Sequence, residues 1–228
     1  MISTDRDGDV LTVTLDRPER RNALTPAGLD ALAAAVADAD APVVLLTGTG
    51  EAFSAGADLD VVADLDGESA RAFARRGQRT TRAIETADAV VVAGIDGPAR
   101  GGGVELALAC DLRVATERAT FAENGVALGL FGAWGGTARL PRVVGEGEAL
   151  DLALSGRVLD AAAALRVGLI SRIVDDPRAV AAELAENDPA ALGVVKERVR
   201  DDTPLADQFE READAFAALV ERRTERTD

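Results

Sequence analysis

Two short runs constrain the fold of this chain more than any other feature. Residues 43–47, Val-Val-Leu-Leu-Thr, and residues 89–95, Ala-Val-Val-Val-Ala-Gly-Ile, are apolar almost without interruption. A strand with one wet face alternates polar and apolar residues, whereas a strand covered on both faces reads as a continuous apolar run. Each run leads into a glycine-rich loop, Gly48 to Asp58 after the first and Gly97-Pro-Ala-Arg-Gly101-Gly102-Gly103 after the second. Residues 10–16 alternate with period two and predict a half-buried strand that ends at Arg17-Pro18. Thr25 and Pro26 supply a helix cap and first turn, with Leu29, Leu32 and Val36 on the apolar face. A polar, Arg-rich helix is expected over about 68–86, and another opens on the three glycines and runs to Cys110. Further strands are expected at 111–115 and 169–174, with an extended piece near Phe121. Helices are expected at 136–144, 147–155, 160–167, 178–186, 190–200 and 205–223. The pattern is that of an α/β fold whose last third is helical.

What the chain lacks removes much chemistry. At 228 residues it has the length of one domain. It has no His, so neither a Ser-His-Asp triad nor a His-ligated metal is available, and no metal site is expected. Cys110 is the only thiol and Lys196 the only lysine, which excludes Cys₄ clusters, intrachain disulfides and a Walker A loop. Catalysis must therefore come from carboxylates, hydroxyls, Arg or backbone dipoles. The net charge is −15, with the acids dispersed along the chain. Dispersed Asp and Glu with Lys nearly eliminated suggest the cytoplasm of a salt-loving organism, the alternative being an ordinary acidic cytosolic protein of a GC-rich genome. No nucleic-acid footprint is present, the first residues do not form a signal peptide, and no apolar run reaches the roughly 18 residues of a membrane span. A soluble cytoplasmic protein is expected.

Both glycine loops follow buried strands. A glycine run at a helix start exposes backbone N–H groups that can hold a phosphate or the oxyanion of a reacting carbonyl. Tight strand-to-helix connection is the plainer reading of each, and neither loop matches G-x-G-x-x-G. Glu105 stands in an otherwise apolar helical stretch, Val104, Leu106 and Leu108. A carboxyl group in such a place has a raised pKa and can exchange protons near neutrality; a helix N-terminal acid that complements the macrodipole is the plainer alternative.

Taken together the motifs resemble the crotonase (enoyl-CoA hydratase/isomerase) superfamily. They are Arg17-Pro18 with Asn22-Ala23-Leu24, Phe53-Ser-Ala-Gly-Ala-Asp58-Leu59, Gly101-Gly-Gly-Val-Glu-Leu106 with Cys110-Asp111, and Gly135-Gly-Thr-Ala-Arg-Leu-Pro-Arg142. Their order and spacing match over roughly residues 5–200. The resemblance implies an α/β spiral of ββα units at 1–187 and a C-terminal helical trimerisation region at 188–228, shorter than is usual in the family. It implies an acyl-CoA thioester as substrate, no cofactor apart from the coenzyme A that the substrate carries, and a homotrimer or dimer of trimers. The backbone N–H groups of Ala57 and Gly102 would form the oxyanion hole. Arg20, Arg21, Ala55, Gly56, Asp58, Leu59, Gly101, Gly125 and Trp134 would contact substrate or CoA, with Arg17 a further candidate for the phosphates. Family hydratases carry two glutamates: the first falls on Glu105, but the second falls on Gly125, which has no acid to offer. Glu123, two positions away, would substitute only if the local backbone shifts. Phe131 and Trp134 either narrow the acyl pocket or simply pack. The implied activity is hydration of a 2-enoyl-CoA; isomerisation, decarboxylation or thioester hydrolysis on the same fold, and a non-catalytic CoA-thioester-binding subunit, are the alternatives.

Overall fold

A computed structural model describes residues 1–225. Its main sheet has six strands: β1 (Ile2–Asp7), β2 (Val10–Leu15), β3 (Val43–Gly48), β4 (Val90–Ile95), β6 (Leu112–Ala115) and β9 (Arg172–Ile173), in that spatial order. β1 and β2 form an antiparallel hairpin, and the remaining pairs are parallel. A second sheet holds β5 (Pro98–Arg100), β7 (Thr120–Ala122) and β8 (Leu159–Asp160).

The continuous apolar runs are explained by what covers them. Val44 and Leu46 of β3, and Val91, Ala93 and Ile95 of β4, face the principal core. That core is shared with α1 (Pro26–Ala37) and α3 (Gly67–Glu85), through Leu29, Leu32, Phe73 and Ile84. Val43, Leu45 and Val92 face a smaller cluster closed by Val180 and Ala181 of α8 (Pro177–Ala185). Both faces of β3 and β4 are therefore dry. Thr25 caps α1 as expected, its side chain accepting from the Gly28 N–H.

Several sequence expectations change. β1 was not foreseen, because Ile-Ser-Thr-Asp-Arg-Asp carries no apolar alternation; it is an exposed edge strand held by its register with β2. The three-residue β5 was likewise not foreseen. The strand expected over 169–174 shrinks to the two residues of β9, because Leu169 and Ile170 pack into the principal core without joining the ladder.

The other helices are α2 (Leu59–Ala63), α4 (Gly102–Ala109), α5 (Gly136–Val144), α6 (Glu146–Ser155), α7 (Ala161–Arg166), α9 (Pro189–Val199) and α10 (Leu205–Glu225), with 3₁₀ turns at Pro18–Arg20 and Asn124–Leu128. The sole lysine fastens α9 to the sheet. Lys196 Nζ donates to the Ala87 and Ala89 carbonyls at 2.6 and 2.7 Å and lies 3.0 Å from Asp111. α10 keeps Leu205, Phe209, Phe216 and Val220 exposed. Among the described residues, no helix is long and apolar enough to cross a membrane.

Candidate active site

The loop after β3 is shaped by a buried asparagine. Asn22 adopts a left-handed conformation (φ 57°), and its amide nitrogen donates to the carbonyls of Thr49, Ala52 and Phe53 at 2.9, 2.8 and 3.2 Å. Its own carbonyl accepts from the Ser54 hydroxyl at 2.9 Å. Leu24 N–H donates to the Gly56 carbonyl at 2.7 Å, and Asp58 N–H donates to the Leu24 carbonyl at 3.0 Å. These two bonds clamp the backbone on either side of Ala57. The Ala57 N–H itself donates to no group among the described residues.

A second free N–H comes from the other glycine loop. Arg100 N–H donates to the Ser54 carbonyl at 2.9 Å, which draws the two loops together. Gly56 has φ +82°, and a Cβ there would fall 2.7 Å from the Gly102 nitrogen, so only glycine permits this approach. Gly102 is the first residue of α4, and its N–H has no acceptor among the described residues, as the first turn of a helix requires. Two clamped, unpartnered donors thus stand on facing loops.

Glu105 follows one turn along α4, all of whose residues are buried. Its side chain is 2% exposed, and Oε1 accepts from the backbone N–H groups of Trp134 and Gly136, both at 2.7 Å. Burial pushes its carboxyl up to about 7; the two N–H donors and the charge of Arg139 hold it from going higher. A second carboxylate enters from the end of β7. Glu123 is 8% exposed, its Oε1 has no hydrogen-bond partner, and burial together with the Glu105 charge pushes it up to about 9. The two side chains converge at Gly132, where a Cβ would lie 3.1 Å from Glu105 Oε1 and 3.2 Å from Glu123 Oε2.

Ala57, Gly102, Glu105 and Glu123 all line one cavity of about 230 Å³. A neighbouring cavity of about 380 Å³ shares Glu123, Phe131 and Gly132 with it and is walled mainly by Val126, Leu140, Ala149, Leu150 and Ala153. Among the described residues no cluster of three or more His, Cys, Asp or Glu side chains is placed to hold a metal ion.

The enoyl-CoA hydratase/isomerase family profile matches residues 5–226. The chain belongs to this family. It is 33% identical over 247 residues to the short-chain-enoyl-CoA hydratase of Clostridium acetobutylicum, covering 96% of this chain and 94% of that protein. The crystal structure of an enoyl-CoA hydratase from Bacillus anthracis superposes with a TM-score of 0.90 at 33% identity, covering 96% of this chain and 91% of that one. A putative enoyl-CoA hydratase from Thermobifida fusca, solved in complex with acetoacetyl-CoA, gives 0.85 at 33% identity over 97% of this chain and 95% of that one.

With the family settled, each residue singled out in the sequence can be placed. Ala55, Leu59, Gly101, Gly125 and Trp134 all line the smaller cavity. Trp134 also packs as core, edge-to-face on Phe73 with ring centroids 5.7 Å apart. Its ring fills the space that a Cβ on Gly77 or Gly102 would need. Phe131, by contrast, is 67% exposed at the junction of the two cavities. Asp58 does not line the cavity. Its carboxylate accepts from Arg17 at 2.5 Å, Arg20 at 3.2 Å and the Asp60 N–H at 3.0 Å, capping α2. The Arg17 bond is the largest of the influences that hold its carboxyl below the usual carboxylate range. Arg20 is engaged by both Asp58 and Asp60, so Arg17 and Arg20 brace the loop rather than offering free cations. Arg21 contributes its carbonyl, which accepts the Ala55 N–H at 2.8 Å, while its exposed guanidinium has no partner among the described residues.

Glu123 and Gly132 are the residues sequence reasoning underrated. The available signal was an acid two positions beyond Phe121 in an extended segment, the spacing that puts both on one side of a strand.

Proposed function

We propose that the protein is an acyl-CoA enzyme of hydratase type, adding water reversibly across the double bond of a 2-enoyl-CoA. The observation that carries this reading is the pair of unpartnered N–H groups, Ala57 and Gly102, in the same cavity as the buried Glu105 carboxyl. A thioester oxygen seated between the two donors gains charge as the β-carbon is attacked, and donors fixed in advance stabilise that charge without reorganising. Loss of one such donor typically slows an enzyme about 10²–10³-fold. Glu105, with a carboxyl near 7, is able both to accept and to return a proton at neutral pH. Its Oε1 is fixed by two backbone donors, which leaves Oε2 to meet water.

The relatives named above support an acyl-CoA substrate, and the reading calls for no cofactor beyond the CoA that the substrate brings. The exposed Leu205, Phe209, Phe216 and Val220 of α10 support assembly into a trimer or dimer of trimers through the C-terminal region. The dispersed acidic charge supports a salt-rich cytoplasm.

Mass spectrometry of short 2-enoyl-CoA and 3-hydroxyacyl-CoA incubated in D₂O with molar KCl tests the reaction. Interconversion with one deuterium gained at Cα is the expected result. Deuterium at Cα without water addition would replace hydration with isomerisation or decarboxylation, and no change to either short acyl-CoA would leave a different acyl chain or a binding role.

A further inference from the structure

The two carboxyl groups of the cavity are not equivalent. Glu105 Oε1 receives two backbone N–H bonds, the provision that an anion needs in a dry site. Glu123 Oε1 receives none, although it is buried. An unsolvated carboxylate without donors is strongly disfavoured, whereas a carboxylic acid tolerates the same surroundings and retains a proton to give. Both side chains reach Gly132, where the missing Cβ leaves room between them.

We propose that Glu123 is the second proton-transfer group of this site, a neutral acid that protonates Cα while Glu105 takes a proton from the attacking water. The assignment rests on the hydration reading above, and it puts the second acid at a position where the family pattern does not place one. Charge balance favours it: burial and the Glu105 charge keep Glu123 protonated up to about 9, while Glu105 ionises near 7. The other charged group acting on the pair is Arg139, which favours the ionised form of Glu105. In the forward step the water oxygen bonds to Cβ and its proton passes to Glu105. The π electrons move into the thioester, whose oxygen is held by Ala57 and Gly102, and the enolate collapses by forming a Cα–H bond with the Glu123 proton. One proton has then moved onto Glu105 and one off Glu123, and exchange through solvent restores both.

The test compares wild type with Glu123→Gln and Glu105→Gln on a short 2-enoyl-CoA across the pH range. Wild-type kcat/KM is expected to fall below about 7 and above about 9, reporting an essential base and an essential acid. Glu123→Gln should lower kcat about 10²–10⁴-fold, keep KM and thioester binding within a few-fold, and abolish the alkaline fall. A merely structural role would leave that alkaline limb in place. Glu123→Asp, shorter by one methylene, should be slow yet keep the limb, which covers the case in which the Gln variant does not fold. A Glu123→Gln enzyme that is folded and hydrates at the wild-type rate, or that retains the alkaline limb, overturns the proposal. If wild type adds no water, the hydration reading fails separately. Glu123 is then judged by Cα–H exchange of a saturated acyl-CoA in D₂O: loss of exchange in Glu123→Gln supports its place at Cα, and retention refutes it.

Discussion

Glu105→Gln should make the protein more stable while disabling it. In the folded chain the Glu105 carboxyl is raised from 4.5 to about 7, chiefly by burial. A raised carboxyl pKa means that the folded state holds its proton where the unfolded chain has already released it. Stability therefore falls as pH climbs from the unfolded value, and the loss is complete once pH passes the folded value. At 1.36 kcal/mol per unit, the shift amounts to about 3 kcal/mol of destabilisation above neutrality. Glutamine has nearly the same shape and keeps a carbonyl to accept from Trp134 and Gly136, but it carries no charge to desolvate. Denaturant unfolding of both proteins at fixed molar KCl, at about pH 5 and about pH 8.5, measures the gap. The variant should gain about 3 kcal/mol over wild type at the alkaline point and much less at the acid point, while hydration falls about 10²–10⁴-fold. A variant no more stable than wild type at alkaline pH, or a gap independent of pH, would show that the Glu105 site is not a desolvating one. The proton role assigned to it would lose its physical basis.

Four further outcomes follow from the same geometry. Gly132→Ala puts a methyl 3.1–3.2 Å from both carboxyl groups, and kcat for an enoyl-CoA should fall about 10²-fold in a protein whose melting temperature barely moves. Gly125→Glu restores an acid at the family position, but its Cβ would meet the Leu130 carbonyl at 3.1 Å, beside two acids already present. No gain in hydration is expected, with a loss of about 1–3 kcal/mol in stability; a faster enzyme would refute the assignment of Glu123. Asp58→Asn removes the charge that gathers Arg17 and Arg20, costing about 2–3 kcal/mol in denaturant unfolding near neutral pH. Because the Asp58 carboxyl is held low, the difference from wild type should shrink as pH drops through its folded value. Finally, a chain of net charge −15 should melt at a higher temperature in molar KCl than in dilute buffer, and a flat salt profile would count against the salt-adapted reading.

The fold was legible where burial leaves a mark on composition. β3 and β4 read as doubly covered strands because both of their faces are apolar, and the structure supplies a cover for each face. β1 left no mark, since an exposed edge strand takes its order from the neighbouring ladder and not from its own side chains. The two glycine loops could be read as places of close backbone approach, yet nothing in their sequence showed that Asn22, some thirty residues before Ala52 and Phe53, shapes the first of them. Glu105 stood out as a lone acid in an apolar helix. Glu123 stood out less: its spacing from Phe121 indicates the side of the segment it leaves from, whereas the site depends on where its carboxyl group ends.

That difference bears on how such a chain can do proton chemistry at all. With no His in its sequence, it has no side chain whose unperturbed pKa lies near neutrality, so a group near 7 has to be made by placement. Burial alone would raise both glutamates and leave two neutral acids, able to donate but not to accept. Backbone donors break the tie: Trp134 and Gly136 direct two N–H bonds to one carboxyl and none to the other, separating an accepting group near 7 from a donating group near 9. The turn that carries those N–H groups, from Gly132 to Gly136, also supplies the glycine that lets both carboxyls approach. One short segment thus sets both the charge and the spacing of the pair. A substitution that turned either N–H away should therefore raise the Glu105 carboxyl toward that of Glu123, leaving the site with two acids and no base.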